Sequence, residues 1–310
     1  KPYLLILLNL LYHVPNTLSS PHMSALKKMG FVVLAGRSNV GKSTLLNDLV
    51  GTKVSIITPK PQTTRHPVRG ILSDDRGQMV FVDTPGLFLG KKDPVSKRLT
   101  QIVSEQLDGI EAILYVVDPT REAGDEEARI QEILRAAHVP IILVINKCDL
   151  EEHQLPFLMA ARLIDVGQRQ TIEVSAKTGK NKAALINALF EIIPDGEQFY
   201  PNDQLTDVGN KEWLEELIRE KVFLALDQEL PYTIKIEVTS DNVRDNGLRA
   251  IEATVWTTEE RYKGMIIGAK GQMLKSSGMA VRKELELATD QKVFLRLEVA
   301  VDPKWPQRFV

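Results

Sequence analysis

Only one cysteine, Cys148, stands among the 310 residues. No internal disulfide can form, and a reducing compartment fits best. Neither sign of charge prevails: 39 basic against 41 acidic residues leave a formal net charge of -2. That excludes a basic field over the whole chain, so any nucleic-acid surface must be local. No apolar run reaches the ~20 residues that cross a bilayer. The strongest, Tyr3 to Leu11, lacks a small-x-small cleavage site close behind it, as a signal peptide would need. Met23 is a sensible start, so residues 1–22 are expected to be a non-native or flexible extension. A membrane-associating segment is the alternative reading of them. There is no internal repeat and no low-complexity stretch. What remains is an ordinary globular composition, 43% apolar and 26% charged, at a length that suggests two domains.

The most informative stretch is Gly36-Arg37-Ser38-Asn39-Val40-Gly41-Lys42-Ser43, a complete GxxxxGK[ST] pattern. It follows an apolar run, Phe31 to Ala35, that reads as a buried strand. It opens a helical pattern, Ser43-Thr44-Leu45-Leu46 onward. In that setting the loop amides form an anion nest at a helix start. Lys42 brings charge to the β and γ phosphates, and the Ser43 hydroxyl serves Mg²⁺. An ordinary glycine turn is the bland reading, and the companion motifs argue against it.

Four of them follow in order. Thr58 to Pro67 is rich in proline and threonine and reads as a mobile loop. One threonine there should close over Mg²⁺: Thr64, with Thr63 close behind. Met79 to Val82 reads as a strand ending in Asp83-Thr84-Pro85-Gly86. Asp83 should hold the metal, and the Gly86 N–H can sense a γ-phosphate. Pro140 to Ile145 leads into Asn146-Lys147-Cys148-Asp149. The Asp149 carboxylate can accept from both guanine N1–H and the N2 amine, a pair that adenine lacks. The Lys147 stem covers a base face, and Asn146 ties loops together. Ser175-Ala176-Lys177 then offers the Ala176 N–H to guanine O6. The metal ligands expected are therefore Ser43, Thr64 and Asp83. The groups expected at the chemistry are Asn39, Lys42, Thr64 and Gly86.

Alternating strands and helices over 23–195 predict a mostly parallel α/β sheet. Strands are expected near 31–35, 68–73, 79–83, 112–118, 141–145 and 171–174. Helices are expected near 42–49, 95–107, 124–137, 154–166 and 182–192. Residues 196–209, with no apolar period, read as a linker. From 210 to 310 the pattern runs α-β-β-α-α-β. The first helix buries positions 213, 214, 217, 218, 221, 222 and 225. Strands follow at 232–238 and 248–256, and a last one at 293–301. Between the two late helices lies Gly268-Ala269-Lys270-Gly271, and the second helix should bury Leu274, Gly278, Val281, Leu285 and Ala288. Two glycines let a nucleic-acid backbone approach, and the helix behind offers N–H groups. Lys270 adds a phosphate contact, with Lys263, Lys275 and Arg282 in support. An Ile266-Ile267 ridge can cradle unstacked bases. A solvated helix face is the plain alternative, stronger for Arg282 than for Lys270.

The ordered set of motifs resembles a translation-factor-class small GTPase, and Gln62-Thr63-Thr64-Arg65-His66 with Asp83-Thr84-Pro85-Gly86-Leu87 most resembles the Era family. The second half resembles a type II KH domain. The resemblance implies a P-loop GTPase domain followed by an α+β type II KH domain. It also implies a GTP- and GDP-binding enzyme that hydrolyses GTP with Mg²⁺. The implied RNA is the 3′ end of small-subunit ribosomal RNA, and the implied role is assembly of the small ribosomal subunit. A cytoplasmic monomer is expected, with peripheral contact at the inner membrane face a further expectation. Leu87 stands where Ras-like enzymes carry a water-positioning glutamine, so slow intrinsic turnover is expected. Asn39 matches the asparagine that helps hold K⁺ beside the phosphates in GTPases resembling this one. Two alternatives remain: a membrane-associated or signalling GTPase whose second domain binds protein, and a GTPase directed to tRNA or the large subunit.

Overall fold

The computed structural model describes residues 27–60, 63–64, 67–84 and 110–305. The expected helix over 95–107, Gly86, Leu87 and the extension 1–22 lie outside them. The described chain falls into two compact units, one ending at Asp207 and one beginning at Val208.

The first unit is built on a sheet of seven strands. They are β1 (Lys27–Ala35), β2 (Val68–Asp74), β3 (Gly77–Asp83), β4 (Ala112–Val117), β5 (Ile141–Ile145), β6 (Gln170–Glu173) and a two-residue β7 (Asp195–Gly196). Their order is β2-β3-β1-β4-β5-β6, with β7 antiparallel to β1. Only β2 and β7 run against their neighbours; the rest pair in parallel. Every residue of β4 and β5 is buried, as expected of strands covered on both faces. The two-residue period divides them cleanly. Ala112, Leu114 and Val116 join one core with Leu45, Leu46 and Leu49 of α1 (Lys42–Val50) and Leu185 and Leu189 of α4 (Lys182–Ile192). Ile113, Tyr115 and Val117 join the other with Ile130, Ile133 and Leu134 of α2 (Asp125–Arg135) and Ala161 of α3 (Leu158–Arg162). The helix expected over 154–166 is thus cut down to α3 and a 3₁₀ turn at Glu152–Gln154. Pro156 lies between the two pieces and removes the amide a continuous helix would use.

Residues 196–207, read from sequence as part of a linker, lie fastened to this unit. Gln78, buried in β3, donates to the Tyr200 carbonyl at 2.9 Å and accepts from the Phe199 and Tyr200 amides. Phe199 stacks obliquely on Phe31 at 4.7 Å, and Thr206 Oγ1 donates to the Arg69 carbonyl.

The second unit runs α5 (Asn210–Ala225), β8 (Lys235–Val243), β9 (Arg249–Thr257), α6 (Glu260–Ile267), α7 (Gln272–Thr289) and β10 (Val293–Val301). Its sheet order is β10-β9-β8, with β8 antiparallel and β10 parallel to β9. One core joins Leu214, Leu217, Ile218 and Val222 of α5 to Val281 and Leu285 of α7 and to the inward residues of the strands. Three expectations need correcting. Tyr232 and Thr233 belong to a 3₁₀ turn, Leu230–Thr233, opened by Pro231, so the strand begins at Lys235. On α5, Ala225 is exposed; Phe223, edge-on to Tyr232 at 5.5 Å, and Leu226 take the buried places. On α7, Ser277 is buried beside Val281 and Leu285, while Leu274, Gly278 and Ala288 are half-buried.

Candidate functional site

The glycine loop turns from the end of β1 into α1. Gly41 has φ +99°, and a Cβ there would lie 2.3 Å from Asn146 Nδ2. Only glycine satisfies both the left-handed backbone and that approach. Asn146 uses the space to donate to the Val40 carbonyl at 2.9 Å, while its Oδ1 accepts the Ala176 amide at 3.0 Å. One buried side chain therefore joins three of the motifs. The start of α1 has no side-chain cap, so its first amides stay available to an anion. Lys42 is buried, and its Nζ donates to the Gly36 and Arg37 carbonyls at 2.9 and 2.8 Å. Burial pushes its pKa down to about 8, against the pull of the Asp83 charge.

A cluster of oxygens sits beside Lys42. Ser43 Oγ donates to Asp83 Oδ2 at 2.5 Å and lies 3.1 Å from Thr64 Oγ1. Thr64 and Ser55 hydroxyls reach the same carboxylate oxygen at 3.5 and 3.2 Å. Asp83 is fully buried, and burial pushes its carboxyl up against the Lys42 charge. Among the described residues its other oxygen, Oδ1, is buried with no hydrogen-bond partner, and a buried carboxylate oxygen of that kind suits a cation or a donor. Among the described residues no three His, Cys, Asp or Glu side chains gather as a metal site. Two hydroxyls and one carboxylate form a hard-oxygen donor set of the kind that holds Mg²⁺ together with phosphate oxygens and water. Thr63 lines the same cleft, and its hydroxyl bonds Thr58 Oγ1 at 2.6 Å and the Lys60 carbonyl at 2.7 Å.

The other loop residues divide by direction. Asn39, at φ +63°, donates to the Pro59 carbonyl at 2.6 Å. Val40 is core. The Arg37 side chain points to α2, pairing with buried Glu127 at 2.6 Å and donating to the Glu122 carbonyl; only its backbone serves the loop. Ser38, Ser43, Thr44, Thr64 and Lys147 line a common cleft of about 390 Å³. Gly86 lies outside the described residues.

At the base end, Lys147 holds φ +67° and sends Nζ to Asp118 Oδ2 at 2.6 Å. Asp149 is exposed, with Oδ1 accepting from Ser175 Oγ at 2.7 Å. Lys177 is exposed. The Ala176 amide, expected to face a base oxygen, is directed onto Asn146 instead, so meeting O6 would require sharing that bond. Sequence reasoning missed Asp118, Arg121 and Glu127. The signal for Asp118 was available: an acidic residue closing an apolar strand, as at Asp83.

In the second unit the turn between α6 and α7 carries the candidate interface. Gly268 has φ +74°, and a Cβ there would lie 2.7 Å from Met273 Cβ. An added Cβ at Gly271 would meet nothing within 4 Å. Ala269, Lys270 and Lys275 are exposed, and α7 has no side-chain cap at its start. Lys263 lies 3.7 Å from Glu260 and Arg282 4.0 Å from Glu286. One residue is corrected: Ile266 is fully buried in the core and cannot meet a base. The apolar surface there belongs to half-buried Ile267 and to Met265, 55% exposed.

Comparison with known proteins gives two family matches, "50S ribosome-binding GTPase" over residues 31–147 and "KH domain" over 229–306. GTPase Era of Trichlorobacter lovleyi is 41% identical over 285 residues, covering 91% of this chain and 95% of its own. GTPase Era of Geotalea daltonii is 39% identical over 279 residues, covering 90% and 94%. Among solved structures, Era in complex with MgGDPNP and nucleotides 1506–1542 of 16S ribosomal RNA matches with a TM-score of 0.81 at 34% identity. It covers 91% of this chain and 96% of that one. An Aquifex aeolicus Era variant bound to GDP·AlF4⁻ matches with a TM-score of 0.79 at 34% identity and the same coverage.

Proposed function

This chain belongs to the Era family of GTPases, a GTP hydrolase carrying a KH domain, and on that premise we propose that it binds single-stranded RNA at the 3′ end of small-subunit ribosomal RNA and assists assembly of the small subunit. The observation that carries the nucleotide half is the oxygen cluster of Ser43, Thr64 and Asp83 beside Lys42 and the uncapped start of α1. The RNA half is supported by the exposure of Ala269 and Lys270 in the Gly268–Gly271 turn and by the rRNA bound to the structural relative.

In this reading Ser43, Thr64 and Asp83 hold Mg²⁺, which when bound offsets charge on the β and γ phosphates. Lys42 turns from the Gly36 and Arg37 carbonyls onto phosphate oxygens, and the loop amides complete the anion nest. Asp149 accepts from the guanine edge while the Lys147 stem covers its face. Leu87 cannot orient a water by hydrogen bonding, so turnover by the chain alone is slow. Asn39 would help hold K⁺, which would offset phosphate charge, so hydrolysis should be faster in KCl than in NaCl at equal ionic strength; equal rates would remove K⁺ from the mechanism. The protein works as a cytoplasmic monomer.

The test is binding of an RNA with the 3′ terminal sequence of 16S rRNA, read with GDP and with a non-hydrolysable GTP analogue. Tighter binding with the analogue is expected. The same weak binding to this RNA and to an unrelated single strand would refute the rRNA assignment.

A further inference from the structure

We propose that Asp118 is a positioning residue for nucleotide binding: it holds the Lys147 side chain over the base site and ties the phosphate loop to the same anchor through Arg121. The proposal rests on the reading of the cleft as a GTP site.

Asp118 follows directly on β4, and its side chain is fully buried. Its two oxygens have separate duties. Oδ1 accepts the Thr120 amide at 3.0 Å and the Thr120 hydroxyl at 2.6 Å. This is an Asx turn, in which a side-chain oxygen captures the backbone two residues on. It fixes the carboxylate in one orientation. Oδ2 is thereby aimed outward and takes two cations, Lys147 Nζ at 2.6 Å and Arg121 Nε at 3.2 Å. Arg121 then spends its Nη2 on the Ser38 carbonyl of the phosphate loop at 3.0 Å. Burial pushes the Asp118 carboxyl up, but the Lys147 ammonium and the Thr120 donors outweigh it and hold it below the usual carboxylate range.

The consequence for Lys147 is preorganisation. A lysine stem on the surface samples many rotamers, and ordering it on binding has a cost. Here the ammonium is already pinned at one end and the backbone is fixed at φ +67° at the other. The methylene stem between them is held as a floor before any base arrives. Arg121 does the same for the loop carbonyl at Ser38. Asp118 does not line the cleft, whereas Lys147 and Ser38 do, so its effect passes through these two cations. It reads no edge of the purine.

The experiment uses the full chain and calorimetry with GDP, GTP and ITP. Binding of GDP by the wild-type chain first checks the cleft itself. Asp118→Asn keeps an acceptor for Thr120 but sets a neutral amide against two cations. It should weaken GDP and GTP by about tenfold, with the GTP-to-ITP ratio unchanged. In a Lys147→Met background most of that loss should vanish, because the residue to be positioned is gone. Thr120→Val, which removes one tether of the carboxylate and keeps the amide, should give a smaller loss that also shrinks in the Lys147→Met background. It carries the test if Asp118→Asn does not fold. The same loss in both backgrounds would make Asp118 a purely structural residue. A changed GTP-to-ITP ratio would make it a reader of the base edge, and either result overturns the proposal while leaving the GTP site intact.

Discussion

The nucleotide cleft and the Gly268–Gly271 turn solve recognition in opposite ways. In the cleft the working groups are buried and bonded to one another: Asp83, Asn146 and Lys42 each touch at least two partners. At the turn, Lys270 and Lys275 stand in the open and make no hydrogen bond or ion pair among the described residues. Buried polar groups discriminate, because a ligand that leaves one unpaired loses the whole bond. Exposed charge attracts any phosphate backbone and is weakened by salt. The contrast teaches that the phosphate end of the cleft is wired before a ligand arrives, whereas affinity for RNA is set largely by field and access.

The sharpest way to break that comparison is Asp149→Asn. Loss of the carboxylate should lower the GTP-over-ATP preference by at least about a hundredfold, read by calorimetry. An unchanged preference would move discrimination elsewhere in the cleft. Next comes Ile266→Ala in the second unit. Because this side chain is core, about 2–5 kcal/mol of stability should be lost in chemical denaturation. Met265→Ala, at an exposed site, should leave the midpoint unmoved. Were the two alike in stability, Ile266 would not be a core residue.

A third test uses pH. Lys42 sits at about 8 in the free protein, below its ordinary 10.5. A bound phosphate raises it again, so binding takes up a proton above about pH 8 and affinity for GDP should fall by up to about tenfold per unit there. The sign for folding is the reverse. Between 8 and 10.5 the unfolded chain holds the proton that the folded one lacks, so the free protein gains stability as pH rises through that window. Calorimetry in buffers of different ionisation enthalpy reads the proton directly; no uptake at pH 9 would contradict the burial assigned to Lys42. The smallest effect is expected at Lys270→Ala: a few-fold weaker RNA binding and a log K against log salt slope reduced by about one. A salt slope identical to the wild type would take Lys270 off the RNA.

Much of this was legible from local pattern. The continuous apolar runs at 112–117 and 141–145 read as doubly covered strands, and the spacing of Gly36, Gly41, Lys42 and Ser43 reads as a phosphate loop at a helix start. What pattern could not supply was direction at the ends of elements. Pro156 shortens a helix whose apolar period continues past it. Ile266 and Ile267 are neighbours in sequence, yet a helix turns one of them wholly into the core.

The amino-acid order by itself determined the two domains' fold classes and the chemistry of each motif, because those depend on residue type and spacing within a single element. Tertiary structure alone decided which groups share a partner. It set Asn146 against Gly41 and Ala176, and it brought Lys147, Arg121 and Thr120 onto the Asp118 carboxylate. Such meetings join loops at the ends of different strands. Sheet order sets their separation, and no periodicity along the chain encodes it.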